Sequence, residues 1–189
     1  MNGASSVGAS GRGESTGERA HVSAVDVEWV QAELGRRPDG DFEVVVRDGS
    51  GRPVVIRNHP LLRDGTPMPT LYWLVGRPER KAVGELEARG GVRHAESEVD
   101  PSVLEEIHRR YAAERDAMIP PDHEGPRPSG GVGGTRRGVK CLHAHLAYWL
   151  AGGEDPVGRW TADRLGIDRS SYVRCGLGDG SVSEAGVRA

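Results

Sequence analysis

SGGVGGTRRGVKCLHAHLAYWLAGGEDPVGRW, residues 129–160, is the stretch around which the rest of the chain has to be arranged. Leu142, Leu146, Trp149 and Leu150 recur at i, i+4, i+7 and i+8, the spacing of a helix that buries one side in a core. Gly152 and Gly153 close that helix, since glycine reaches the left-handed conformation that helix ends use. Ahead of it lies a glycine loop carrying Arg136, Arg137 and Lys140, and the helix itself brings Cys141, His143 and His145. At about 100° per residue, Cys141 and His145 share a face while His143 points away, so at most two of the three can meet one metal ion.

Working outward, Ser23 and Asp26 have the form of a capping box, with Val27, Val30 and Leu34 behind them, which predicts a helix over 24–34 stopped by Gly35. Residues 42–47 and 54–57 are rich in β-branched side chains and flank Asp48-Gly49-Ser50-Gly51, a hairpin with a loop longer than two residues. The apolar run 71–75 around Tyr72 and Trp73 is expected as the central strand of a small sheet, its aromatics in the core. Residues 79–89 read as a short helix ended by Gly90-Gly91, and Asp100-Pro101 opens a longer one whose stripe includes Leu104, Ile107 and Tyr111. His108 sits beside that stripe and reads as a surface or boundary histidine. Residues 120–129, with four prolines, form an extended connector, 156–166 a further helix, and 171–175 a last short strand.

The chain of 189 residues has a net charge of −3 and a pI near 6.2, which removes the electrostatic basis for general nucleic-acid binding. Two cysteines, Cys141 and Cys175, are too few for a disulfide framework and fit a reducing cytosol. No apolar run approaches the ~20 residues that span a bilayer, and the start lacks a secretory h-region, so a cytoplasmic protein is expected. Residues 1–22 lack any hydrophobic period and predict a disordered tail. Residues 23–175 predict one α+β domain, a small antiparallel sheet packed by several helices, and 176–189 a frayed end.

The central stretch admits three chemistries. Cys141 and His145 could hold zinc or iron if His59, Cys175 or a carboxylate completed the set, against the plainer reading of a buried cysteine with hydrogen-bonded histidines. Cys141 in a first helical turn beside cations could be a thiolate, with His145 as its partner. Gly130-Gly131-Val132-Gly133-Gly134 could turn its N–H groups onto a phosphate or carboxylate held by Arg136, Arg137, Lys140 and His143, against the plainer reading of a flexible connector. It is no Walker loop: Val139 intervenes before Lys140, and Cys141 stands where Ser or Thr should ligate magnesium.

DGTPMPTLYWL, GELEARGGV, YAAERD and above all GVKCLHAHLAYWLAGGEDPVGRW resemble the bacterial family of domain of unknown function 501 over residues 25–160. The resemblance assigns no reaction. It implies further cysteines in many relatives, in the first hairpin and before a proline after the Tyr-Trp strand, where this chain has the surroundings of Asp48 and has Arg77. If those form a metal site in relatives, part of it is lost here. The resemblance also implies genes beside septum-formation and polyphosphate-metabolism proteins. Two functions follow as expectations: binding of a phosphorylated or other anionic small ligand at the loop, or a non-catalytic protein-interaction module tied to division or envelope growth.

Overall fold

The computed structural model describes residues 22–175; the tails expected at 1–22 and 176–189 lie outside these residues but for Val22. Helix α1 (Ala24–Leu34) begins where Ser23 Oγ accepts the Asp26 N–H at 3.1 Å and ends at Gly35, φ 70°. Strands β1 (Phe42–Arg47) and β2 (Pro53–Asn58) form the expected hairpin, its turn held by Asp48 Oδ1, which accepts from the N–H groups of Ser50 and Arg52. After β3 (Tyr72–Leu74) come α2 (Arg77–Ala88), α3 (Gly91–Glu98), α4 (Pro101–Asp116), α5 (Leu142–Leu150), α6 (Pro156–Leu165) and the two-residue β4 (Val173–Arg174). The architecture is the α+β arrangement that the sequence predicts, with four antiparallel strands and six α-helices among the described residues.

The strands run β3-β2-β1-β4, so β3 lies at an edge and not at the centre. β2 already has β1 on its other side through the hairpin, which leaves β3 the outer place. An edge strand leaves backbone groups unpaired, and here Tyr111 of α4 supplies a partner: its hydroxyl oxygen accepts the N–H of Leu71 at 2.7 Å and of Tyr72 at 3.2 Å. Tyr72 stacks on Tyr148 with centroids 5.5 Å apart, and Tyr111 stands edge-on to both, so Tyr72 is core, while Trp73 is half-buried on the opposite face with Arg36 over its ring. The sheet faces two ways. Val45, Val55, Tyr72 and Leu74 point into the main core with α4 and α5, while Ile56 and Val75 meet Val30 of α1 on the other side.

Gly90-Gly91 ends α2 as the sequence predicts, and it is also a corner into a further helix. Gly90 takes φ 86°, and α3 starts at once, with Gly91 so close to Leu86 that a Cβ would stand 2.7 Å from its carbonyl oxygen. The centre of the structure is α5, which packs on β3, α2 and α6. Its contact with α6 depends on Gly158, where a Cβ would lie 2.4 Å from the His145 carbonyl oxygen. Among the described residues no helix is long and apolar enough to cross a membrane.

Candidate functional site

The glycine loop is folded upon itself. The N–H of Gly131 donates to the Thr135 carbonyl at 2.7 Å and that of Gly134 to the Gly131 carbonyl at 2.9 Å, while Gly130, Gly133 and Gly134 all take positive φ. Two side chains of α4 hold it from beneath. Arg115, only 1% exposed, donates to the carbonyls of Gly130 at 2.6 Å, Pro128 at 3.2 Å and Pro69 at 3.4 Å. His108 is buried, contrary to the boundary position expected of it, because its ring fills the space under Gly131, where even a Cβ would collide. Its Nδ1 accepts the Val132 N–H at 3.1 Å, which leaves Nε2 carrying the proton toward the Gly138 carbonyl at 3.0 Å.

Burial holds the His108 pKa below its ordinary value of 6.5, and the nearby His145 ring adds to the effect. The unfolded chain therefore binds a proton here that the folded chain resists, so stability falls as pH drops below the unfolded value. Urea unfolding from about pH 7 to about pH 5 is expected to show this loss, and His108→Gln to flatten it. An unchanged slope in the variant would assign the titration to another group.

At the start of α5, Cys141 is the N-cap, yet its side chain makes no capping bond. The orphan Leu142 N–H instead donates at 2.6 Å to Glu87 Oε1, which reaches across from α2. The same oxygen lies 3.1 Å from His143 Nδ1, and His143 Nε2 stands 3.2 Å from the Arg80 carbonyl. A carboxylate of the chain itself thus occupies the positive end of this helix. Burial, reinforced by the negative charge of Glu87, pushes the Cys141 thiol up in pKa, the opposite of the shift that a reactive thiolate needs.

His145 faces inward and is fully buried. Its Nδ1 lies 2.7 Å from Asp155 Oδ2, and Asp155 Oδ1 accepts the Gly158 N–H at 2.9 Å, so one carboxylate both fixes the ring and caps α6. His145 Nε2 has no hydrogen-bond partner among the described residues. A histidine bound to carboxylate through one nitrogen with the other free is the arrangement found in metal ligands. Yet among the described residues no three His, Cys, Asp or Glu side chains stand together to hold an ion, so Cys141 and His145 lack the companions that zinc requires. Arg136, Arg137 and Lys140 are exposed, and none forms an ion pair among the described residues.

A family model described as protein of unknown function (DUF501) matches residues 44–163, from β1 almost to the end of α6. The chain belongs to that family. No curated protein and no solved structure matches it. The DUF501 segment contains the glycine loop, its supports Arg115 and His108, and the pairs Glu87–Leu142 and Asp155–His145.

A cavity of this DUF501 protein lies elsewhere. It has a volume of about 690 Å³, with Arg37, Arg57, His59 and Arg63 on its walls beside Phe42 and Met118. Glu43 pairs with Arg57 at 2.6 Å and Asp41 with Arg63 at 3.4 Å, whereas Arg37 has no carboxylate partner among the described residues. The Arg57 Nε is buried and has no acceptor there either. Sequence reading missed this site because its walls come from four separated segments, the start of α1, the turn after α1 into β1, the end of β2 with its following loop, and the residues just after α4. The signal available was the density of basic residues at 36–37, 57–59 and 63.

Proposed function

We propose that this DUF501 protein binds a small anionic molecule with an apolar portion, and that the Arg37–Arg57–His59–Arg63 cavity receives it. The observation that carries the reading is a cavity of about 690 Å³ whose lining has three guanidinium groups against two carboxylates, which leaves Arg37 and the buried Arg57 Nε without a carboxylate partner among the described residues. Such a site favours a phosphate or carboxylate on Arg37 and Arg57, with Phe42 and Met118 against the rest of the ligand. The glycine loop supports small-ligand binding less well. Its N–H groups at Gly131, Val132 and Gly134 are engaged within the protein, as are both ring nitrogens of His143.

The test is calorimetric titration with a panel of phosphorylated and carboxylated metabolites. For any ligand that binds, Arg37→Gln and Arg57→Gln should each weaken binding about tenfold or more, while Arg136→Gln should leave it unchanged. Loss on Arg136→Gln alone would move the ligand to the loop. The exposed loop cations favour a second reading, an interaction module that docks an acidic protein surface with Arg136, Arg137 and Lys140. In that case no metabolite binds, and charge reversal on the loop abolishes a protein contact.

A further inference from the structure

At the other end of α5, two arginines converge on one backbone position. Gly152, just beyond the helix, has φ 118°, and a Cβ there would meet Arg174 Nη1 at 2.7 Å and Arg169 Nη2 at 3.6 Å. Each guanidinium is placed by the fold. Arg169 lies over the Trp149 ring, 5.0 Å from its centroid, and Arg174 belongs to β4, where it pairs with Val46. Like charges repel at such range, and burial together with the charge of Arg174 holds the Arg169 pKa below its usual value. Neither arginine forms an ion pair with a carboxylate among the described residues.

The carbonyl end of α5 attracts cations in general. Among the described residues, however, no hydrogen bond joins either guanidinium to a carbonyl of α5, so helix capping does not account for the pair. Around them opens a cleft of about 460 Å³ that also includes Ser170, Tyr172 and Glu154. Tyr172 is committed to Glu79, to which its hydroxyl donates at 2.9 Å, and Glu154 is the one acid of the lining. The cleft therefore keeps a positive charge and two planar sets of N–H donors without acceptors among the described residues.

We propose that Arg169 and Arg174 form a fork, seated over Gly152, for the phosphoryl group of a small phosphorylated molecule. Two guanidinium groups offer more donors than the two oxygens of a carboxylate can accept, whereas a phosphate presents three oxygens and a second negative charge. The site is separate from the Arg37 cavity and does not depend on it.

Trp149 reports on the fork because Arg169 stacks on it. With isotope-labelled protein, the Trp149 indole N–H resonance, assigned with Trp149→Phe, would be followed during titration with inorganic phosphate at constant ionic strength. A saturable shift is expected, weakened about tenfold or more in Arg169→Gln and in Arg174→Gln, and unchanged in Arg37→Gln. Arg174 is exposed, so its replacement leaves the core intact. A shift that chloride reproduces, one that never saturates, or one that survives both glutamine variants would overturn the proposal. Failure of the Arg37 cavity to bind any ligand would leave this result untouched.

Discussion

Replacing Asp155 by alanine is expected to remove about 3–5 kcal/mol of stability, read as a lower urea midpoint at constant slope. Asp155 is 1% exposed, and each of its oxygens serves a different helix, Oδ2 facing His145 Nδ1 on α5 and Oδ1 accepting the first-turn N–H of Gly158 on α6. Truncation strands both donors in the interior. The ring is the more damaging of the two, because His145 Nε2 already lacks a partner and the imidazole would then have none. A buried donor left alone costs its whole desolvation penalty, which exceeds the net gain of an ordinary hydrogen bond. Asp155→Asn keeps the shape and one acceptor oxygen, so its loss should be intermediate. A loss below about 1 kcal/mol in the alanine variant would mean that water or relaxation replaces the carboxylate, and that the joint between α5 and α6 depends on Gly158 instead.

Arg115→Met is the second large effect, again about 3–5 kcal/mol. Methionine retains much of the apolar stem but none of the donors, and the carbonyls of Pro69, Pro128 and Gly130 lose the group that draws them together. This substitution should act locally as well. The Gly131 and Val132 amides, protected by Thr135 and His108, are expected to exchange with solvent much faster than those of α5. Equal protection before and after the change would show that the loop is held by His108 and its own hydrogen bonds alone.

The parts of the fold that the sequence announced are those whose signals are local. The Ser23–Asp26 cap, the Asp48 turn, Asp100-Pro101 and the apolar spacing of 142–150 each lie within a few residues, and each element formed where its signal predicts. What escaped depends on residues far apart. Glu87 meets Leu142 across 55 positions, His108 meets Val132 across 24, and Arg115 meets Gly130 across 15. Nothing in the neighbourhood of those residues separates them from ordinary surface charge on a helix. Asp155 was within reach, since Asp155-Pro156 repeats the Asp-Pro opening of α4. The edge position of β3 was not, because strand order is set by pairing partners, which an apolar run does not name.

Glu87 has one more effect on what can approach α5. Because its carboxylate is tethered to the same molecule, it competes for the Leu142 N–H at an effective concentration on the order of millimolar or above, without the cost of being captured from solution. A free metabolite must outbid that intramolecular rival at every encounter, whereas an anion arriving at Arg169 and Arg174 meets no carboxylate paired with either arginine among the described residues. The two ends of one nine-residue helix therefore differ: at the amino end a carboxylate of the chain already holds the Leu142 N–H, and at the carboxyl end lie the two arginines of the proposed fork.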